Sequence, residues 1–370
     1  MMNTWVKILI VIVVAFILLG SIMVFTASGT YSMMRFNSIY HLFQSHLWKV
    51  IVAVIGMIFF SRIKYENYRK YTKIALFAII AVLILTFLLA PKVKGAQRWI
   101  NLGFMQFQPS EAAKVILIMH VSYMLEKMGD KIKDFKNGFI YPLIWVGIVA
   151  MLVLMQPNVS TGVIIVATSF VLMFVAGAKW RHVIGIVAGA GIAVGTVAMV
   201  LKHSRERILT YINSLINGGD INIQVKQAKI ALGSGGLFGV GPGHSRQSDL
   251  FLPESYGDFI FSIVGEEWGF IGALVVLAIY FGLFLVCMVI AKKSQDKFGQ
   301  LMVLGLGFNI VISAFINAAV VTGLIPTTGI TLPFISFGGT SIIIFAISIG
   351  IIINVGRQTV RTQELKIQQV

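Results

Sequence analysis

The chain has 370 residues, of which 57% are hydrophobic and only 12% charged, with 30 basic against 14 acidic side chains and a formal net charge of +16. A soluble chain carries roughly a quarter charged residues, so this composition excludes a soluble globular protein. The basic balance does not indicate nucleic-acid binding, because the basic residues lie in short connections between apolar runs, and the single Cys287, inside such a run, excludes disulfides and thiolate metal sites.

Apolar runs of about 20 residues read as transmembrane helices. The first, 5–27, is longer than the ~7–15-residue core of a cleavable signal peptide and is read as a retained span. Nine more follow at 45–61, 72–90, 109–126, 139–155, 159–177, 183–201, 258–291, 299–321 and 336–356. The expected fold is an all-α polytopic membrane protein of about ten transmembrane helices, a single integral membrane domain over 1–370. Gln156-Pro157-Asn158 leaves room only for a turn, so the fifth and sixth spans form a helical hairpin. The eighth is long at ~1.5 Å per residue, and Gly269 and Gly272 mark an expected bend. An even number of spans places both termini on one side. The connections on that side, with the termini, hold eighteen basic residues; the other side holds eleven. Positive charge collects in the cytoplasm, so both termini are expected there. The large loop 202–257 between helices 7 and 8, Glu111 and Asp258 then face outward.

Nine of the eleven outer basic residues cluster in 91–98 and 202–246, beside the outer carboxylates. Such a cluster suits an anionic substrate such as a diphosphate, with Arg98 and Arg246 the stronger candidates because they sit in Gly-rich turns. Four segments could carry chemistry. In the first, Lys94-Gly95-Ala96-Gln97-Arg98-Trp99 precedes Gln108-Pro109-Ser110-Glu111. Pro109 suits a helix start, and Glu111 and Lys114 share a helix face and can pair. The second, Ala231 to Arg246, has six glycines. No strand precedes it, so it is not a dinucleotide fingerprint, and a structural loop is the plainer reading. In the third, Asp258 opens the eighth span, where it either caps the helix or does chemistry. Glu266, eight positions on, falls on roughly the same face and reads as a buried acid bonded to a neighbouring helix. Glu267 points elsewhere, toward a cytoplasm-side or lateral partner. The fourth, Gly323 to Ser341, is an outer loop dipping toward the last span. Non-helical backbone at that depth must be buried in protein or line a polar cavity; Ser336, Gly338 and Gly339 are its candidate contact residues.

Together these segments resemble the SEDS family of shape, elongation, division and sporulation proteins, which includes RodA, FtsW and SpoVE. The likeness covers about 5–356: Lys94-Gly95-Ala96-Gln97-Arg98-Trp99 with Gln108-Pro109-Ser110-Glu111 is similar to RodA, and Thr328-Gly329-Ile330-Thr331-Leu332-Pro333 followed by Ser336-Phe337-Gly338-Gly339 is closer to FtsW and SpoVE. What the resemblance implies is a peptidoglycan glycosyltransferase. Its substrate would be lipid II, a disaccharide-pentapeptide on undecaprenyl diphosphate, polymerised at the outer face of the bacterial cell membrane in elongation, division or sporulation. By the same resemblance Asp258 is the catalytic acid/base residue and Glu111 and Lys114 match functional positions. A divalent cation (Mn or Mg) is the implied cofactor, and a class B penicillin-binding protein the implied partner. A lipid II flippase or transporter is the rival reading from another class; against it, the sequence has no convincing inverted repeat.

Overall fold

A computed structural model describes residues 4–91, 97–103, 105–200, 202–217, 222–249 and 251–367. The expected segment Lys92 to Ala96 lies outside the described residues. The helices, in order, are α1 (Thr4–Phe36), α2 (His41–Arg62), α3 (Tyr65–Leu89), α4 (Pro109–Met128), α5 (Ile140–Met155), α6 (Val159–Val175), α7 (Trp180–Val200), α8 (Lys202–Asn217), α9 (Ile223–Ser234), α10 (Ile260–Lys293), α11 (Lys297–Val321) and α12 (Gly339–Ile367). Seven of them are long and apolar enough to cross a membrane, and each of the ten expected spans coincides with a helix. The protein is an all-α polytopic membrane protein. Its one sheet among the described residues is a small antiparallel hairpin, β1 (Ile100–Asn101) with β2 (Gln106–Phe107), just ahead of α4.

Helices α4, α11 and α12 form the interior, with α1, α2, α10 on one flank and α5, α6, α7 on the other. Small residues permit this. In lipid there is little hydrophobic drive between helices, so close backbone approach and interhelical hydrogen bonds do the work. On α11, Gly305 lies against Ile118 and Leu172. Asn354 of α12 donates to the carbonyls of Ser61 and Ile63, at 3.0 and 2.6 Å, and so holds α2.

Three expectations need correction. The first span continues past 27 to Phe36, because Ser32 Oγ donates to the Ser38 carbonyl and accepts from Leu42 N, giving this polar extension tertiary partners. The third starts seven residues early, at Tyr65. There Tyr65 donates to Asp296, and Arg69 bridges Glu126 and Asp296 at 2.9 and 2.8 Å, tying three connections together at the end opposite Asp258. The stretch 202–257 is not a plain loop, since it holds α8 and α9.

The expected bend of α10 falls at Gly269, whose φ of 72° and ψ of −174° break the helix. The Gly-rich segment fills the break. Phe270 N and Ile271 N donate to the carbonyls of Gly236 and Leu237, while Val240 N and Gly241 N donate to those of Glu266 and Glu267. A side chain at Gly269 would overlap the backbone of Leu237 and Gly239. The glycines therefore serve backbone-to-backbone contact, the structural reading of this segment.

Candidate active site

Asp258 does not cap α10. The cap position is Phe259, and Asp258 ends the turn before the helix, half-buried. The helical spacing to Glu266 therefore does not extend to it, and the two acids meet different surroundings, Gly329 for Asp258 and the Gly-rich segment for Glu266. The turn is held at three consecutive carbonyls. Phe337 N donates to the Tyr256 carbonyl at 2.9 Å, Ser336 Oγ to Gly257 at 2.8 Å and Asn317 Nδ2 to Asp258 at 2.7 Å. Asn317 Nδ2 also reaches the Ile330 carbonyl at 2.7 Å, so one amide joins the Asp258 turn to the re-entrant segment 323–338. Ser336 Oγ further accepts from Leu332 N. Its hydroxyl is thus spent on backbone, and Ser336 positions the turn rather than presenting a free group. The Asp258 carboxylate lies beside Gly329, with Oδ2 3.5 Å from where a Cβ would stand.

Beside Thr328 and Ile330, the neighbours of Gly329 in the chain, is a cavity of about 220 Å³, walled by apolar residues such as Val163, Ile208, Ile316 and Ile330 and carrying two guanidiniums, Arg98 and Arg207. Asp258 borders this cavity and does not line it. Arg207, on α8, donates Nη1 to the Thr327 carbonyl at 3.0 Å, and Tyr211 OH donates to that of Leu324 at 2.6 Å, which docks α8 on the re-entrant segment. Arg98 Nε is buried with no hydrogen-bond partner. Burial, then the neighbouring Arg207, lower the Arg98 pKa, and Asp258 acts to raise it; burial likewise lowers that of Arg207, against Asp258. Both arginines therefore feel the Asp258 charge and are short of water, a setting that favours an anion.

The remaining candidates fall elsewhere. Glu111 and Lys114 form a buried ion pair at 3.0 Å within the first turns of α4, with the Lys114 ammonium 5.5 Å from the centre of the Phe345 ring. Gln108, Pro109 and Ser110 build the start of that helix: Gln108 N donates to Thr340 Oγ1 at 2.9 Å, Pro109 stands at its first position, and Ser110 Oγ accepts from Gln108 and from Asn158. Gly338 and Gly339 lie where α12 begins, and Gly339 approaches the Gln106 carbonyl. Glu266 accepts from Ser234, Ser245, Arg246 N and Gln247 N, which makes it the anchor of the Gly-rich segment. The Arg246 side chain is exposed and its backbone faces Glu266, so it does not join Arg98 at the cavity. Glu267 accepts from Thr26 of α1, a lateral partner. Sequence reasoning did not single out Asn317 or Arg207 as site residues. Arg207 was one of a cluster of outer basic residues, and no local pattern marks an asparagine in an apolar helix as the holder of a turn 59 positions away.

Residues 6–361 match the pattern of a family described as cell cycle protein, FtsW/RodA/SpoVE. A probable peptidoglycan glycosyltransferase FtsW of Trichlorobacter lovleyi is 35% identical over 353 residues, covering 94% of this chain and 92% of that protein. The stage V sporulation protein E of Bacillus subtilis is also 35% identical, over 94% of this chain and 96% of its own length. Among solved structures, a chain described under structural coordination of polymerization and crosslinking by a peptidoglycan synthase complex superposes with TM-score 0.77 at 24% identity, over 95% of this chain and 97% of that one. The rod shape determining protein RodA of Thermus thermophilus superposes with TM-score 0.70 at 23% identity, over 95% and 96%. This chain belongs to the FtsW/RodA/SpoVE family, the SEDS proteins.

Proposed function

We propose that this chain is a peptidoglycan glycosyltransferase that polymerises lipid II at the outer face of the bacterial cytoplasmic membrane. One observation carries the reading. A carboxylate whose backbone is fixed at three successive carbonyls stands next to two water-poor guanidiniums at an apolar-walled cavity. Apolar walls suit a polyprenyl chain, and guanidiniums suit a diphosphate. The excess of basic residues at the end opposite Asp258 supports an outward-facing site.

The reaction joins the 4-hydroxyl of the acceptor sugar to C1 of the donor sugar. The new C1–O bond forms as the bond from C1 to the diphosphate oxygen breaks, and an α-linkage becomes a β-linkage in one inversion. Asp258 takes the hydroxyl proton as C1 gains positive character. Arg98 and Arg207 offset the charge that gathers on the departing diphosphate. The Glu111–Lys114 pair is already mutually neutralised and holds the helix beside the site.

The residues do not fit a protein-held metal ion. Among the described residues no three His, Cys, Asp or Glu side chains gather into a ligand set. A single carboxylate beside two guanidiniums repels a dication more than it holds one. The divalent cation (Mn or Mg) implied by resemblance enters, in this reading, as a counter-ion of the substrate's diphosphate, and no step above runs through it. The partner proposed is a class B penicillin-binding protein, in keeping with the synthase complex to which one structural neighbour belongs.

The experiment is polymerisation of labelled lipid II by the purified full chain with its transpeptidase partner. Asp258→Asn should fold, match the wild-type melting temperature and make no glycan polymer. Wild-type polymer yield from that variant would refute the assignment.

A further inference from the structure

A part-buried cation inside the second span, Lys49, stands outside both the catalytic cavity and the ion pairs. Lys49 lies on α2, about 12 Å along the helix from its start. Lys114 has Glu111, and Arg69 has Glu126 and Asp296. Lys49 has no ion-pair partner among the described residues; its ammonium sits 3.7 Å from the centre of the Phe337 ring. One turn earlier on the same helix face is His46, fully buried, with both ring nitrogens unpartnered. Its ring is 6.1 Å from that of Phe337. Intramembrane charge without a carboxylate marks a functional position by default, and an unbonded buried imidazole adds to the cost.

Phe337 connects this cluster to the catalytic turn. Its N–H holds the Tyr256 carbonyl, and its ring packs edge-on against Tyr256 at 5.6 Å. The re-entrant segment thus has cations at both ends. Arg98 and Arg207 flank its 325–330 part, under α6 and α8, while Lys49 and His46 flank residue 337, under α2. The Asp258 turn is bonded between them. The proposed reaction consumes two lipid-linked substrates, each with its own diphosphate, and only the donor's departs.

We propose that Lys49 and His46 form a second anion site, which holds the diphosphate of the acceptor lipid. This rests on the glycosyltransferase reading. An ammonium is a point charge suited to phosphate, and an imidazole N–H supplies a directed donor. The acceptor's diphosphate keeps its charge throughout the reaction, so its binding is equal in ground and transition states. Weakening it raises KM and leaves kcat alone.

The test uses the full chain in phosphatidylcholine nanodiscs, as wild type and as Lys49→Met, which keeps the side-chain length over Phe337. Thermal unfolding is followed with undecaprenyl diphosphate, with phosphatidylglycerol, and without either. Undecaprenyl diphosphate should raise the melting temperature of the wild type more than that of K49M, whereas phosphatidylglycerol should not distinguish them. Equal shifts with undecaprenyl diphosphate overturn the proposal. A lysine-dependent shift with phosphatidylglycerol of the same size makes Lys49 a general headgroup anchor and overturns it too. In the polymerisation assay K49M should raise KM for lipid II by about tenfold with kcat nearly unchanged. His46→Leu is the second variant. It should raise KM in the same direction without lowering the ligand-free melting temperature; a destabilised H46L with unchanged KM would make the cluster structural. Failure of the wild type to polymerise would sink the enzymatic reading alone, since the binding arm needs no turnover.

Discussion

Asn317 offers the sharpest check on how the site is held. Its side-chain amide donates to the carbonyls of Asp258 and Ile330, each at 2.7 Å, and the residue is 1% exposed. Asn317→Leu keeps the branched outline, with bulkier methyl ends, and removes both donors. A buried carbonyl left without its donor costs about 1–3 kcal/mol. Both carbonyls are only partly buried, so the sum belongs in the lower part of the range, about 2–4 kcal/mol. Asn317→Asp is worse in one respect, because an ionised carboxylate would face two carbonyl oxygens and must take up a proton to stay in place. Thermal unfolding of the purified variants measures the stability term, and labelled lipid II measures the rate. We expect both variants to lose stability, and to lose polymerisation by more than tenfold, because the bond that fixes the Asp258 turn to the re-entrant segment is gone. Asn317→Asp should regain part of its stability as pH falls and the new carboxyl is protonated. Wild-type rates from Asn317→Leu would show that Asp258 is positioned by Tyr256 and Gly257 alone, and the argument from three fixed carbonyls would fail.

The remaining predictions concern charge. Glu111→Gln or Lys114→Met alone should destabilise by about 3–5 kcal/mol, the usual result of orphaning one member of a buried pair. The double variant should recover much of that loss in thermal unfolding; if it recovers stability but makes no polymer, the pair has a role beyond packing. Arg207→Met should lower kcat more than it raises KM, since the charge it meets grows only as the diphosphate departs. Equal effects of Arg207→Met and Lys49→Met on the two constants would remove the distinction drawn between the donor and acceptor ends.

The membrane architecture was legible because it depends on local apolar runs that each satisfy their own backbone, a requirement lipid imposes on any spanning segment. Asp258 and the glycine break at 269 were legible for a related reason: an acid or a glycine in such a run stands out. What stayed hidden depends on partners far away in the chain. The polar start of α3 is helical because Tyr65 and Arg69 meet Asp296 and Glu126. Nothing in 65–71 itself announces those partners. The amphipathic α8 looked like a loop because it is too polar to span: Leu209, Ile212 and Ile216 stay exposed, and Arg207 and Tyr211 dock it on carbonyls more than a hundred positions away. Glu266 is the buried acid bonded to a neighbouring helix that its sequence position suggested, but the spacing from Asp258 has a sharper lesson. Helical spacing was counted from Asp258, but the helix begins two residues later, and a face cannot be extrapolated through a turn.

Charge in and beside the spans separates structure from chemistry more cleanly than position does. Arg69 and Lys114 have carboxylates in reach: Arg69 ties α3 to the connections beside Glu126 and Asp296, and Lys114 pairs with Glu111 within α4. Arg98, with its orphaned Nε, and Lys49, with only a ring, are the ones left wanting an anion. These two lie toward opposite ends of the same re-entrant segment, with the Asp258 turn hydrogen-bonded between. A scaffold that merely recruited a partner would have no reason to keep two part-buried cations in that arrangement, because Lys49 is expensive in lipid, Arg98 is stripped of water, and neither holds two helices together by an ion pair. A polymerase that must seat two phosphorylated lipids on either side of one base has that reason.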